Sequence, residues 1–354
     1  MKFSVCIPNY NYERYLGRTI QSILDQSNSD LEILVSDNAS TDGSIGVVKN
    51  FADGRIRLHV NACNVGFSGN LDRSARMATG ERMIMLSSDD LIRPAALATY
   101  RAMYDRLGSS GERAVISSTW DVIDPDDKII GRHGPDLSVW HAQDRAPELD
   151  DIGGGPVYRV PAMDLLRRCL LSMKNPFNFA ATCYPRELYN RVEGYGGSRL
   201  INPDKWFHWR LLSVADVAYF IDRPLFAYRW HPQNQTATQA ATGALKYPVD
   251  EYVSTLEMDG AVLSRLGLTR DQLVAAYVEH DIARHGLSVL AQGQRKRARR
   301  ILDFGKAVYP DVVRQNRKAW LLRSLLALGP LGEQIAHWGY KSYKSAALSR
   351  SDGC

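Results

Sequence analysis

The sequence RMIMLSSDD spans residues 82–90 and joins a short apolar run to two adjacent acids. Unbroken apolar runs are typical of strands in a parallel sheet that is covered on both faces. Ligands of such sheets bind at the carboxyl ends of the strands. Asp89 and Asp90 come where such a strand would end, so this segment predicts an α/β fold with a polar site at one edge of the sheet.

The same pattern recurs on the N-terminal side of this segment. Short apolar runs occupy residues 3–7, 31–35 and 56–60, and stretches with helical spacing of apolar residues alternate with them up to residue 107. This order predicts a mostly parallel sheet with helices on both faces. The first run is followed by Pro8-Asn9-Tyr10-Asn11, which is neither a glycine-rich dinucleotide loop nor a Walker motif.

The remainder of the chain gives weaker signals. Residues 121–155 are rich in Asp, Gly and Pro and are expected to form long loops, while short strands are expected at 219–221 and 225–228. After residue 240 the spacing predicts helices at 249–266, 270–291, 298–308 and 312–328. We therefore expect three parts, which are the two halves of one α/β domain (1–110 and 111–238) and a helical region (239–354).

Composition excludes several classes of protein. Of the 354 residues, 45% are hydrophobic and 23% are charged, as in an ordinary globular protein. No stretch of about 18 apolar residues is present, which excludes a polytopic membrane protein. The cysteines (Cys6, Cys63, Cys169, Cys183 and Cys354) form no CxxC pair, which argues against a disulfide framework or a zinc module. The N-terminal apolar run is too short for a signal peptide. Together with the unpaired pattern of the cysteines, this predicts a cytoplasmic setting.

Positive charge is concentrated near the C-terminus. Thirteen Lys and Arg residues and three acids lie between Ala291 and Arg350, although the whole chain has a net charge of +5. Within 295–328 these cations are interspersed with Trp320 and several leucines, a pattern that suits peripheral contact with an anionic membrane surface. Packing of the apolar side on the protein's own core is the alternative. No nucleic-acid-binding module accompanies the charge, so we expect no nucleic-acid partner.

Acids follow two of the predicted strands. Asp37 comes after the run 31–35, and Asp89 and Asp90 come after the run 82–86. Two adjacent carboxylates repel each other unless a cation offsets them, and oxygen ligands suit Mg²⁺ or Mn²⁺. Asx turns and helix caps are the alternative roles for these acids. Together, acids at two strand ends favour a site for a nucleotide diphosphate.

Six motifs share the order and spacing of a known family. They are VCIPNYN at 5–11, SDNASTDG at 36–43, NVG at 64–66, Asn70, ATGE at 78–81 and LSSDD at 86–90. This set resembles the family 2 glycosyltransferases of GT-A fold, strongly over about 1–100 and more weakly to about 235. The resemblance implies a Rossmann-like, mostly parallel sheet with a C-terminal helical extension. It also implies transfer of a sugar from a nucleotide sugar to a hydroxyl group.

The resemblance assigns roles on the donor side. Asp37 matches the carboxylate that accepts the base N3–H, which favours UDP- or dTDP-sugars, with GDP-sugars next. Asp89 matches the last acid of the DxD motif, which binds the metal (Mg²⁺ or Mn²⁺) that bridges the diphosphate, while Ser87 replaces the first acid. Asp90 is expected to act as a cap or to support Asp89. The other residues implied in nucleotide-sugar binding are Pro8, Tyr10, Asn11, Asn70, Ser87 and Ser88.

The resemblance continues on the acceptor side. Residues 192–195 and 204–211 resemble the family's Glu-Asp segment and the helix after it, with Pro203 in place of the Glu. Asp204 is therefore the candidate general base, and capping of the helix is its alternative role. His231 matches the His of a Tyr-Arg-x-His motif that often joins the metal, and a purely structural His is the alternative. The implied reaction is metal-dependent and inverting, with a lipid-linked glycan of surface polysaccharide or O-antigen biosynthesis as acceptor.

Two other functions compete with this interpretation. A nucleotidyltransferase would be expected to carry a glycine-rich, basic phosphate loop after the first strand, where Pro8-Asn9-Tyr10-Asn11 lies instead. A nucleotide-sugar-binding protein without activity is favoured by Ser87 and Pro203, which stand where the family has acids. Release of a nucleoside diphosphate from candidate donors distinguishes the three functions.

Overall fold

A computed structural model describes residues 1–27, 30–196, 200, 203–234 and 245–351, with side chains up to residue 341. The chain divides into two units. Unit 1 comprises Met1–Cys169 and Lys174–Asn234, and unit 2 comprises Leu170–Met173 and Gln235–Cys354. Every strand of the described residues lies in unit 1.

Unit 1 is built on a ten-stranded sheet. The strands are β1 (Phe3–Asn9), β2 (Leu31–Asp37), β3 (Ile56–Val60), β4 (Arg82–Met85), β5 (Leu91–Ile92), β6 (Ala114–Ile123), β7 (Ile129–His133), β8 (Val157–Pro161), β9 (Thr182–Pro185) and β10 (Val217–Arg229). Their order is β3-β2-β1-β4-β9-β6-β10-β5, with β7 paired to β6 and β8 paired to β10. Strands β1 to β4 pair in parallel, as the sequence pattern predicts. The later pairings are antiparallel apart from the parallel pair β6–β10.

Helices pack their apolar sides on this sheet. Leu16, Ile20 and Ile23 recur at helical spacing on α1 and share one buried cluster with Val5 and Val35 of the sheet. The helices of unit 1 are α1 (Glu13–Leu24), α2 (Ser44–Lys49), α3 (Phe67–Arg76), α4 (Ala96–Leu107), α5 (Asp150–Gly153), α6 (Ala162–Ser172), α7 (Arg186–Arg191) and α8 (Pro203–Val214), the end of α6 lying in unit 2.

The expectation of long loops over 121–155 is wrong for part of that stretch. Strand β6 continues to Ile123, and β7 follows at Ile129–His133. Strand β6 was not predicted because it contains polar residues. The hydrogen-bond partners of these residues lie far along the chain. The Thr119 hydroxyl donates to Asp222 (2.6 Å), and the Ser117 hydroxyl lies 3.3 Å from that of Thr182. These hydrogen bonds remove the cost of burying polar side chains in a central strand.

The two short strands expected at 219–221 and 225–228 are one strand, β10. It pairs with β6 along ten residues, and the register shifts on both sides of Pro224. A proline lacks the N–H that a ladder needs, so it is found at such irregularities. The sequence pattern at Pro224 therefore marks a bulge within one strand and not the gap between two.

A buried acid joins the amino ends of the parallel strands. Glu32 of β2 accepts hydrogen bonds from Ser4 Oγ (2.6 Å), Thr79 N (2.6 Å) and Gly80 N (3.1 Å). Burial alone would raise the pKa of Glu32, but hydrogen bonds from Ser4, Thr79 and Lys2 outweigh it and lower the pKa to about 2. A Cβ atom at Gly80 would lie 2.7 Å from the Lys2 carbonyl oxygen, so only glycine fits there. The ATGE motif is thus explained by the fold, at the end of β2 opposite Asp37.

The described part of unit 2 is helical. Two helices that the spacing predicts as continuous are broken, one at Asp259 and one at Asn316, where each side chain accepts a backbone N–H and caps the next helix. The sequence pattern did not predict α16. The helices are α9 (Lys246–Glu257), α10 (Gly260–Arg265), α11 (Arg270–Tyr277), continued by a π-helical segment (Val278–Arg284) into α12 (His285–Ala291), then α13 (Arg295–Val308), α14 (Pro310–Gln315), α15 (Arg317–Ala327) and α16 (Pro330–Ser351).

The helices and the cysteines of the described residues bear on two expectations from composition. No helix among them is long and apolar enough to cross a membrane. Within the described part of the chain, no disulfide joins Cys6, Cys63, Cys169 or Cys183, and Cys354 lies outside the described residues.

Candidate active site

Asp37 ends β2 and organises the loop after it. In the parallel register its neighbour on β1 is Asn9, whose Nδ2 donates to Asp37 Oδ2 (2.8 Å). Ser40 donates twice, from its backbone N to Oδ1 (2.8 Å) and from its hydroxyl to Oδ2 (2.7 Å). The carboxylate is buried. The backbone N–H that Asp37 accepts is three residues on, and not two as in an Asx turn. Three donors in all hold the side chain at the strand end.

Asn70 joins the ends of β1 and β2 from helix α3. Its Oδ1 accepts hydrogen bonds from Ser36 Oγ (2.8 Å) and Asn61 Nδ2 (3.0 Å). Its Nδ2 donates to the carbonyl oxygens of Ser36 (3.0 Å) and Asn9 (3.3 Å). Because both ends of the amide are engaged within the protein, Asn70 positions the loops around Asp37. A direct contact with a nucleotide sugar stays a prediction.

The loop after β1 places the next predicted residues. Tyr10 is exposed, and Asn11 adopts a left-handed backbone with φ of 58°. Asn11 Oδ1 accepts the Thr41 backbone N–H (2.8 Å), which ties this loop to the loop after β2. The Ser88 hydroxyl donates to the Pro8 carbonyl oxygen (3.4 Å). Loops after β1, β2 and β4 therefore meet at one edge of the sheet.

Asp89 meets His231 at this edge. His231 Nε2 lies 3.0 Å from Asp89 Oδ2, although the two residues are 142 positions apart. Both side chains are buried, and Tyr15 packs against the imidazole with ring centroids 4.8 Å apart. Within the described part of the chain, the buried Nδ1 atom of His231 has no hydrogen-bond partner. The structure thus brings together the two residues that the sequence predicts as metal ligands.

Arg229 fixes the backbone beneath this pair. Its backbone N–H donates to Asp90 Oδ1 (2.9 Å), and its Nε donates to the Asp89 carbonyl oxygen (2.7 Å). The fully buried guanidinium also forms an ion pair with Asp127 (2.5 Å) and lies over the Tyr15 ring. Burial and the adjacent Asp89 carboxylate raise the pKa of Asp90 well above its usual value. Asp90 thus faces the protein backbone, while the Asp89 side chain faces His231.

The residues at this edge fit a divalent metal with few protein ligands. Asp89 offers a carboxylate oxygen, and His231 offers an imidazole with one buried nitrogen that lacks a partner. No cluster of three or more His, Cys, Asp or Glu side chains suited to a metal occurs among the described residues. Mg²⁺ is commonly bound by one or two carboxylates together with substrate phosphates and water. A donor set of this size therefore suits a metal that arrives with a diphosphate.

Asp204 lies in the first turn of α8. Asn175 Nδ2 donates to Asp204 Oδ2 (3.2 Å), and Asn175 Oδ1 lies 2.9 Å from His208 Nδ1. Burial raises the pKa of Asp204, although backbone N–H groups at the helix start and Asn175 act in the opposite direction. Burial also lowers the pKa of His208 to about 3, so that its imidazole is neutral at pH 7. Over the described residues, Asp204 shares no hydrogen bond with the Asp37 and Asp89 network.

Several residues that hold the site were not predicted from the sequence. Arg229 and Asn9 each end an apolar strand, so the signal that singled out Asp37 and Asp89 would have found them too. Thr19 gives no such signal, yet its hydroxyl on α1 lies within hydrogen-bond distance of the Ser88 (3.0 Å) and Asp90 (2.9 Å) carbonyl oxygens and shares its one proton between them. Asn175 also gives no signal in the sequence, because its role depends on tertiary contacts with Asp204 and His208 of α8.

Known proteins resemble the N-terminal half of the chain. Residues 4–173 match the family model described as glycosyl transferase family 2. An uncharacterised glycosyltransferase of Nostoc is 37% identical over 144 residues, which cover 39% of this chain and 43% of that protein. A Campylobacter jejuni protein, named GalNAc(5)-diNAcBac-PP-undecaprenol beta-1,3-glucosyltransferase, is 38% identical over 101 residues, which cover 28% of this chain and 33% of that protein. The chain therefore spans less than half the length of these curated relatives.

A solved structure shows the same fold over nearly the whole chain. Staphylococcus aureus TarS 1–349, crystallised in complex with UDP-GlcNAc, has a TM-score of 0.63 and 18% identity. The likeness covers 98% of this chain and 92% of the TarS chain. It confirms the GT-A fold that the six motifs imply. Residues 4–173 therefore form a glycosyl transferase family 2 domain.

Proposed function

We propose that the chain transfers a sugar from a nucleoside-diphosphate sugar to a hydroxyl group, with inversion and with a bound Mg²⁺ or Mn²⁺. One observation carries the proposal, namely the contact between Asp89 and His231 at the edge of the sheet where Asp37 also lies. Residues 1–110 supply the donor side, 111–238 supply the acceptor side, and 239–354 form a helical extension. Pro8, Tyr10, Asn11, Asn70, Ser87 and Ser88 complete the nucleotide-sugar site.

Asp37 supports a donor whose base carries a ring N–H. Its two oxygens provide about four acceptor positions, and Asn9 and Ser40 occupy three of them. The position left on Oδ1 accepts the N3–H of uracil or thymine. Cytosine presents an acceptor at N3, so two hydrogen-bond acceptors would face each other. UDP- and dTDP-sugars are therefore the proposed donors, ahead of GDP-sugars.

Asp89 and His231 are the proposed metal ligands. When bound, a divalent metal offsets the negative charge that develops on the departing diphosphate. Asp89 holds its position because Arg229 fixes its carbonyl oxygen and Tyr15 packs against His231. Asp90 is proposed to support Asp89, since its Oδ1 accepts the Arg229 backbone N–H.

Asp204 is the proposed general base. A base must take the proton of the acceptor hydroxyl as that oxygen attacks C1 of the sugar, and an elevated carboxylate pKa improves proton uptake near neutral pH. The raised pKa of Asp204 suits this role. Asn175, held by the neutral His208, restrains Asp204 Oδ2. Transfer by one base in one step inverts the anomeric centre.

The proposed acceptor is a lipid-linked glycan of surface polysaccharide or O-antigen synthesis. The named Campylobacter relative acts on an undecaprenol-diphosphate-linked glycan, and that similarity supports an acceptor of the same class. Such acceptors are anchored in a membrane, so we assign the reaction to the cytoplasmic face of the plasma membrane.

Donor turnover tests the proposal. The full chain is incubated with UDP-, dTDP- and GDP-sugars, with Mn²⁺ or with excess EDTA, and release of the nucleoside diphosphate is measured. We expect release from a uridine or thymidine donor with Mn²⁺ and none with EDTA. Proton NMR of the product is expected to show an inverted anomeric configuration. Release of pyrophosphate from a nucleoside triphosphate would favour a nucleotidyltransferase, and donor binding without release would favour an inactive binding protein.

A further inference from the structure

Large apolar side chains are exposed on two consecutive helices of unit 2. Leu331, Ile335 and Trp338 follow an i, i+4, i+7 spacing and share one side of α16. Trp320 on α15 is 57% exposed and Trp338 is 76% exposed. The full set, which we call the apolar stripe, is Trp320, Leu321, Leu328, Leu331, Ile335 and Trp338.

The apolar stripe is not the side of α15 that packs in the core of unit 2. Ala319, Leu322, Leu325 and Leu326 are the buried residues of α15. These four side chains form the side of α15 that packs on the rest of unit 2. Trp320, Leu321 and Leu328 are not among them and are exposed. Exposed apolar residues grouped in this way mark a surface that binds something else.

A basic groove adjoins the apolar stripe at Trp320. Helices α13, α14 and α15 enclose a volume of about 290 Å³, lined by Leu302, Pro310, Val313 and Ala319 with Trp320 at its wall. Lys306, Arg314 and Arg323 also line it, and all three are exposed. Asp311 is the one acid in the lining, and it pairs with Arg314 at 2.9 Å. An apolar floor with a cationic rim suits an amphiphile that has an anionic headgroup.

We propose that the apolar stripe and the basic groove together bind an anionic lipid surface, with Trp and Leu side chains in the interface and the groove at the headgroups. Basic helices with Trp and Leu lie in this way at the boundary of headgroups and acyl chains. Each Lys or Arg near an anionic leaflet adds a favourable interaction. The surface extends past the predicted 295–328 segment, because α16 supplies half of the apolar stripe.

Charge favours a lipid surface over a second copy of the chain. In a two-fold dimer the same patch faces itself, so the cations of one groove would oppose those of the other. Like charges facing each other across an interface oppose association. Anionic lipid instead complements the groove and covers the apolar stripe at the same time.

Vesicle sedimentation tests the proposal with the full chain and no nucleotide sugar, so the outcome does not depend on the proposed transfer. Vesicles of phosphatidylcholine are compared with vesicles that also contain one-third phosphatidylglycerol. The charge variant is Arg314→Gln with Arg323→Gln, and the apolar variant is Trp320→Gln with Leu331→Gln. Matched controls are Arg167→Gln and Ile130→Gln, at exposed positions of unit 1. Circular dichroism melts check that every variant folds.

We expect binding to the anionic vesicles that weakens with salt, and little binding to neutral ones. The charge variant should bind about 25-fold more weakly, at about fivefold for each cation removed. The apolar variant should dissociate at a salt concentration that the wild type withstands, and both controls should bind as the wild type does. The proposal is overturned if the wild type does not sediment with anionic vesicles or if the two variants bind normally. A dimer that becomes monomeric in the apolar variant would assign the surface to self-association instead.

Discussion

Asp204 tests catalysis at the scale of one residue. Asp204→Asn keeps the side-chain shape and the start of α8 but cannot accept a proton from the acceptor. We expect kcat to fall by about 10²–10⁴ while the affinity for the donor stays near normal. Donor affinity from titration and turnover from nucleoside diphosphate release separate the two quantities. Turnover within about threefold of the wild type would show that Asp204 only caps its helix.

Substitution of Arg229 tests a contribution to stability at the same scale. Arg18 serves as the control, because both arginines pair with Asp127. Asp127 pairs with both the buried Arg229 and the half-exposed Arg18. Arg229→Gln leaves the buried Asp89 carbonyl oxygen and the partly buried Asp124 carbonyl oxygen short of a donor, at about 1–3 kcal/mol for a buried unsatisfied group. Arg18→Gln removes an exposed pair and should cost less than about 1 kcal/mol. Urea unfolding measures both, and equal losses would contradict the structural role of Arg229.

The network around Glu32 belongs to the scale of elements, because it joins β1, β2 and the turn before β4. Glu32→Gln should lower the free energy of unfolding by about 1.5–3 kcal/mol at pH 7, as expected for hydrogen bonds to a charged group. The pKa of Glu32 is about 2 in the folded chain and near 4.5 in the unfolded chain. Its stabilisation is therefore complete above about pH 4.5 and is lost as the pH falls towards 2.

Urea unfolding at pH 7 and pH 3 measures this effect. The wild type and Glu32→Gln should approach each other in stability at the lower pH. Glu187→Gln is the control, because Glu187 forms an exposed i,i+4 pair with Arg191 and should change little at either pH. A difference between wild type and Glu32→Gln that does not shrink at pH 3 would contradict the lowered pKa.

The elements differ in how far the sequence predicts them. Strands β1, β2 and β4 are buried almost throughout, so each is a mostly apolar run that the pattern identifies directly. Strand β3 has no buried residue and alternates apolar with polar side chains. Strand β6 is not such a run, since Thr119 depends on Asp222, 103 positions away. Asp89 and His231 follow from motifs, but Asn175 acts through tertiary contacts that no local pattern contains. The sequence thus predicts the residues that end strands better than those that hold them in place.

Ligand binding tests the proposal at the scale of the whole molecule. A ligand at 100 times its Kd stabilises the folded state by about 2.7 kcal/mol, which raises Tm by about 5–10 °C for a unit of this size. We expect UDP with Mn²⁺ to produce such a shift and CDP with Mn²⁺ to produce a much smaller one. EDTA or Asp89→Asn should remove the shift. A UDP shift that survives both would contradict metal binding by Asp89.

The separation of Asp89 and His231 along the chain has a consequence for biosynthesis. The stretch that matches the family ends at residue 173, and His231 is translated 58 residues later. At about 5–20 residues per second, a ribosome needs about 3–12 s to cover that distance. During this interval the nascent chain carries the whole family match but cannot pair Asp89 with His231. A donor that encounters the emerging polypeptide therefore meets half of the proposed metal site, which is complete only after β10 and the residues that follow it have been made.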